Sequence, residues 1–175
     1  MPKVIHNLRD TIIEEARRQA LETSYSEMTM RSVADGCGIA VGTLYNYFKS
    51  KPEIVAAFMI KDWIPVISGI SKLCMEDISP REAISRTALE LKGYADKYAN
   101  VIYDKSAAEA SSAGFAEWHL LLRDQLSEAL RVICDKHAKI KNDYIPAFVS
   151  ENLLSALIYK SDYDKLIPIL ELLFD

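Results

Sequence analysis

Six glycines, six prolines and three cysteines in 175 residues are few, and each scarcity excludes something. So few backbone breakers leave little room for the glycine- and proline-rich turns that separate the short strands of sandwiches and barrels. Cys37, Cys74 and Cys134 are odd in number, widely spaced and without a CxxC pair. They read as small buried apolar residues, not as disulfide partners or metal ligands. No uninterrupted apolar stretch of signal-peptide length opens the chain. The densest early run, Ile54 to Ile60, is closed by Lys61 and Asp62, short of the roughly 18 residues that a membrane-spanning helix needs. A soluble cytoplasmic protein is the expectation.

Excess positive charge is also missing. The net charge of −4 argues against a chain that coats polyanions by bulk attraction, although a field can still be local. Residues 1–52 carry +1 against −5 in the remainder. Catalytic signatures are absent too: there is no HExxH, no GxSxG and no glycine-rich phosphate loop. Of His6, His119 and His137, the last two would lie about 27 Å apart on one helix, too far to share a metal. No catalytic residue, cofactor or metal is assigned, and the chain is not read as an enzyme.

Half the residues are apolar, and they recur at helical spacing with no sustained period-two alternation, so the fold class is all-α with about nine to ten helices. Leu8, Ile12, Ala16 and Ala20 mark a first helix over about 8–23. Thr29 is the N-cap of a second that ends near Gly36, and a third spans roughly 40–47. Ser50-Lys51-Pro52-Glu53 and Ser79-Pro80-Arg81-Glu82 are capping-box starts of two more. Pro65 predicts a kink or break in the first of these. A shorter helix is expected over about 101–110. Phe115, Trp118, Leu122, Leu126, Ala129, Ile133 and His137 define one of about 24 residues. A last pair follows over 144–159 and 163–174; the final helix is apolar on much of its circumference and must be buried by something.

The most informative stretch is Thr29 to Lys51, TMRSVADGCGIAVGTLYNYFKSK. Ala34 is small enough for two short helices to cross closely, and Gly38 can take the left-handed backbone that the reversal needs. Ile39 and Leu44 return apolar groups to the side that Val33 occupies, so Thr43 and Tyr45 must point elsewhere. That is the sequence form of a helix-turn-helix whose second helix enters the major groove.

This string resembles the DNA-binding region of the tetracycline-repressor-like (TetR) family of transcriptional regulators. The matching positions are Thr29, Arg31, Ala34, Gly38, Thr43, Leu44, Tyr45, Tyr47, Phe48, Lys49 and Lys51. Carried over by position, the resemblance implies that Val41, Gly42, Thr43, Tyr45 and Tyr47 face double-stranded DNA, that Arg31 reaches it from the preceding helix, and that Lys51 holds a phosphate. Two residues depart from the family pattern. Ala40 replaces the usual Ser or Thr cap, and Gly42 sits inside a short helix, so the recognition helix is weakly held. Lys3 is the only basic residue before Arg9, which makes an N-terminal arm into the minor groove doubtful.

The resemblance divides the chain into a DNA-binding domain over 1–50 and a ligand-binding and dimerisation domain over 51–175. It implies a homodimer on a pseudo-palindromic operator, a repressor released by a small, largely apolar effector. Trp63, Tyr94, Tyr98, Tyr103, Trp118 and His119 are the candidate ligand-binding residues. The alternative is a helical small-molecule-binding or enzymatic protein whose N-terminal hairpin does not meet DNA.

Overall fold

A computed structural model describes residues 7–104 and 112–174, with side chains for all of these except 112–117. Nine helices run through them: α1 Leu8–Glu22, α2 Met30–Cys37, α3 Val41–Tyr47, α4 Lys51–Leu73, α5 Pro80–Lys97, α6 Ala99–Ile102, α7 Ser112–His137, α8 Ile145–Ile158 and α9 Tyr163–Glu171. Among the described residues the only extended pairing is an isolated antiparallel bridge between Ala138 and Phe174. The helix expected over 101–110 instead begins at Ala99 and stops at Ile102, with Tyr103 and Asp104 outside it; residues 105–110, with Lys3, His6 and the Phe115 side chain, lie outside what is described.

Two compact units form. The described residues of Met1–Asp62 and Tyr98–Ser112 make one, and those of Trp63–Lys97 and Ala113–Asp175 the other. The change of unit along α4 therefore falls between Asp62 and Trp63.

In the first unit α1 packs on α2 and α6, and α2 on α3. Ile12, Ala16 and Ala20 of α1 are fully buried, the i, i+4, i+8 stripe of an amphipathic helix. Gln19 joins α1 to α2: its amide donates to the Ser32 carbonyl at 3.0 Å and its oxygen accepts from the Ser32 hydroxyl at 2.7 Å. Asp62, near the middle of α4, accepts from Arg17 at 3.3 Å and from the Tyr98 hydroxyl. The Tyr98 ring is fully buried and stacks on Phe58 with centroids 5.7 Å apart. Burial, and then the carboxylate partner, hold its phenol well above the ordinary range, so it stays a donor at neutral pH.

Pro65 does not end α4, which is continuous from Lys51 to Leu73. Lys61, whose carbonyl loses its helical donor to Pro65, is exposed, as is Pro65 itself, so water can satisfy that group. By length and composition alone α4 could cross a membrane. Yet Lys61 pairs with Glu14 at 2.9 Å and Asp62 is engaged as above, which makes this part of α4 a core helix of the first unit.

In the second unit α9 packs on α5 and α8, and α5 on α8. Leu122, Leu126, Ala129 and Ile133 of α7 are buried, the stripe that their spacing predicts. The final helix behaves differently from its expectation. Ile167 and Leu170 are buried, but Ile169 and Leu172 are 63% and 71% exposed. A short helix packed along one side leaves its other side in water even when that side is apolar. Cys74 and Cys134 are buried free thiols and Cys37 is half-buried; burial pushes the first two up to about 11 and about 12.

Two consequences can be measured. Gly38 has φ of 67°, and a Cβ built there meets nothing within 4 Å. The cost of Gly38→Ala is therefore backbone strain alone, and a loss of about 1–2 kcal/mol is expected in urea unfolding. Tyr98→Phe takes one donor from the largely buried Asp62 carboxylate and is expected to cost about 1–3 kcal/mol by the same measurement.

Candidate nucleic-acid interface

The reversal between α2 and α3 is built by local chemistry. Thr29 and Ser32 form a reciprocal capping box: the Thr29 hydroxyl accepts from the Ser32 amide, and the Ser32 hydroxyl from the Thr29 amide, both at 3.0 Å. This satisfies two donors that a helix start otherwise leaves open. At the other end Gly38 adopts the left-handed conformation, and the Ile39 amide reaches back to the Ala34 carbonyl at 3.0 Å, closing the helix as a Schellman-type turn does. Ala40 is extended and offers no side-chain cap to α3. The weak start expected of that helix is present.

α3 has seven residues, and Leu44 is its buried one, with 0% exposure; Val33 and Ala34 of α2 are equally buried. Placing Leu44 inward dictates the rest. Val41, Tyr45 and Tyr47 are 36%, 44% and 42% exposed, Gly42 is exposed, and Thr43 is half-buried. Arg31, on α2, is exposed and makes no ion pair with a described residue. Asn46 is also exposed on α3, and its amide is of the kind that pairs with an adenine edge. Its position between Tyr45 and Tyr47, away from Leu44, is the signal that could have added it to the set.

The two lysines after α3 are differently employed. Lys49 donates its ammonium to the Tyr45 carbonyl at 2.9 Å, capping the end of α3, while its amide donates to Glu53 at 2.6 Å. Phe48, fully buried, lies beneath the Arg9 guanidinium at 5.0 Å from the ring centroid. Lys51 departs from its expectation. Its half-buried ammonium donates to the carbonyls of Tyr25 at 2.6 Å and Met28 at 2.9 Å, and stands 4.0 Å from the Tyr25 ring centroid. Desolvation pulls its pKa down, against the opposing charge of Asp104. A cation with its donors turned to backbone carbonyls is not one held out to a phosphate.

The six residues named for a ligand are divided between the two units. Trp63, Tyr94, Trp118 and His119 belong to the second unit, and Tyr98 and Tyr103 to the first. Trp63 meets Tyr94 edge-on at 5.4 Å, and its indole N–H donates to the Gln125 amide oxygen at 2.7 Å. Trp63 and Tyr94 are buried, whereas Trp118 and His119 are half-buried. His119 Nε2 lies 3.0 Å from Glu151. Tyr98 is better described as a strut of the first unit, because its ring and hydroxyl are both committed to Phe58 and Asp62.

Comparison with known proteins agrees with this geometry. Residues 12–58, which hold α1 to α3 almost whole and the start of α4, match the model of the bacterial regulatory proteins of the tetR family. The HTH-type transcriptional regulator PksA of Bacillus subtilis is 31% identical over 93 residues, 52% of this chain and 45% of that protein. The HTH-type transcriptional repressor KstR2 of Mycobacterium tuberculosis is 34% identical over 62 residues, 34% of this chain and 31% of that protein. The chain thus spans less than half the length of these curated relatives. RolR, solved in complex with its ligand resorcinol, has the same fold, with a TM-score of 0.59 at 17% identity over 93% of this chain and 83% of RolR. The helix-turn-helix segment of this chain is thus matched in sequence by the tetR-family model, and its all-helical fold is shared with RolR.

Proposed function

We propose that this protein is a ligand-responsive DNA-binding transcriptional regulator of the cytoplasm, a repressor that reads a pseudo-palindromic operator as a homodimer. The carrying observation is the outward set on α3. With Leu44 spent on the core, Val41, Gly42, Tyr45, Asn46 and Tyr47 are left in solvent beside half-buried Thr43, and Arg31 is exposed on α2.

Each group suits one part of a duplex. Arg31 is a free cation for phosphate or a guanine edge, and the tyrosine and threonine hydroxyls serve phosphate oxygens or bases. Val41 suits a thymine methyl. Gly42 lets the backbone come close, and nothing among the described residues requires it there, since a Cβ at that position meets none of their atoms within 4 Å. One such unit reads a half-site, and a two-fold pair reads successive major grooves roughly 34–36 Å apart. Apolar groups left in water on the second unit support pairing of two copies: Leu120, Leu121 and Val132 on α7 and Phe148 on α8 are 43–46% exposed. The effector reading draws on Trp63, Tyr94, Trp118 and His119 in that unit and on the resorcinol held by RolR, which favours a small aromatic compound.

Selection of bound sequences from random duplex DNA tests this reading. Two half-sites with dyad symmetry are expected, and affinity should fall by orders of magnitude between about 50 and 200 mM salt. Retention of no duplex at low salt would instead favour a helical binding protein or enzyme that does not meet DNA. Gly42→Ala separates fold from function: it should stabilise the free protein by up to about 1 kcal/mol yet weaken binding to the selected duplex. A thermal-shift screen of small phenols and other aromatics is expected to find a compound that raises the melting temperature and releases the duplex. If none does either, the effector assignment is lost.

A further inference from the structure

Lys51 opens α4 but reaches back to the turn that joins α1 to α2. An ammonium has three donor directions; here two end on the Tyr25 and Met28 carbonyls and the third side lies over the Tyr25 ring. The same turn is gripped from a second element. Asp104, just past α6, accepts from the Ser26 amide at 3.3 Å and the Ser26 hydroxyl at 3.0 Å, and the Asn100 carbonyl accepts from the Tyr25 amide at 3.3 Å. The turn therefore hangs between the start of α4 and the end of α6. Only Phe48, Lys49 and Ser50 separate α3 from Lys51. Phe48 is fully buried and Lys49 is bonded at both its amide and its ammonium, so a displacement at Lys51 passes directly to the recognition helix.

We propose that Lys51 is a positioning residue for DNA reading: its ammonium pins the Tyr25–Met28 turn to the start of α4 and so sets the placement of α3, without itself holding a phosphate. This inference rests on the DNA-binding reading above. A desolvated cation committed to two carbonyls and a ring would have to abandon these partners to meet a phosphate, and the turn would lose the charge that Lys51 brings to those carbonyls.

Lys51→Met and Lys51→Arg distinguish the roles, measured on the full chain with the duplex recovered by selection, in the cold and with folding checked by circular dichroism. The Met variant is expected to bind at least tenfold more weakly at every salt concentration, on a line parallel to that of the unaltered protein. The Arg variant, whose fork can span two carbonyls, should recover most of the loss. A salt slope reduced by about 0.9 per protomer in the Met variant would make Lys51 a phosphate contact and overturn the proposal. Undiminished affinity in a folded Met variant would overturn it as well, by leaving Lys51 a role in stability alone. Should the Met variant not fold, Tyr25→Leu removes only the ring and must weaken binding with an unchanged slope; a change of slope, or no weakening, would sink the idea. If the unaltered protein retains no duplex, the DNA-binding reading itself has failed, and that is visible before any variant is made.

Discussion

The burial of Leu44 is the constraint on which the rest depends. A helix of seven residues has too few positions to bury two faces, and burying one leucine side chain is worth about 1.5–3 kcal/mol. Once Leu44 joins Val33 and Ala34 in the interior, no rotation of α3 can hide Tyr45 and Tyr47 without exposing it. The outward face of this helix follows from one inward residue. Its missing N-cap and its internal glycine make α3 weak in isolation, so its geometry is borrowed from the helices around it.

Those surroundings are held by charges placed where water is scarce. Asp62 gathers Arg17 of α1 and the hydroxyl of Tyr98 at the start of α6. Lys51 gathers the carbonyls of the turn after α1, and Asp104 the amide and hydroxyl of Ser26 in the same turn. Each is a charge-assisted bond, stronger than a neutral one and costly to leave half-made. Three helices are thereby referred to one short turn, and the first unit becomes a frame for α3 although few of its residues face outward from that helix.

Much of this was legible in the residue order. The Thr29 capping box, the left-handed Gly38 and the serine caps at Ser50 and Ser79 are local devices whose donors and acceptors lie within five residues of each other, and they are present. So is the inward Leu44, although Glu53 turns its carboxylate to the Lys49 amide and does not complete a box with Ser50. The resemblance to the TetR family's DNA-binding region lies in the same stretch, because fixed spacing around one turn is itself a local property. Partners distant in sequence were not legible in the same way. Pro65 does not break α4, which runs on past it with the proline exposed to solvent. The abundance of aromatic residues between Trp63 and His119 is visible in the sequence, but the partner of Tyr98, Asp62, lies 36 residues away, and no periodicity discloses it.

Sequence alone determined which segments are helical, where the two short helices reverse and which side of α3 turns inward, since all three depend on backbone geometry and on neighbours within a turn or two. Tertiary structure alone decided what the charged and polar tips do. Lys51 carries the same motif position and the same charge whether it meets a phosphate or the carbonyls of Tyr25 and Met28. The choice belongs to a turn 23–26 residues away, because a long flexible side chain goes to the acceptors that the fold brings within its reach.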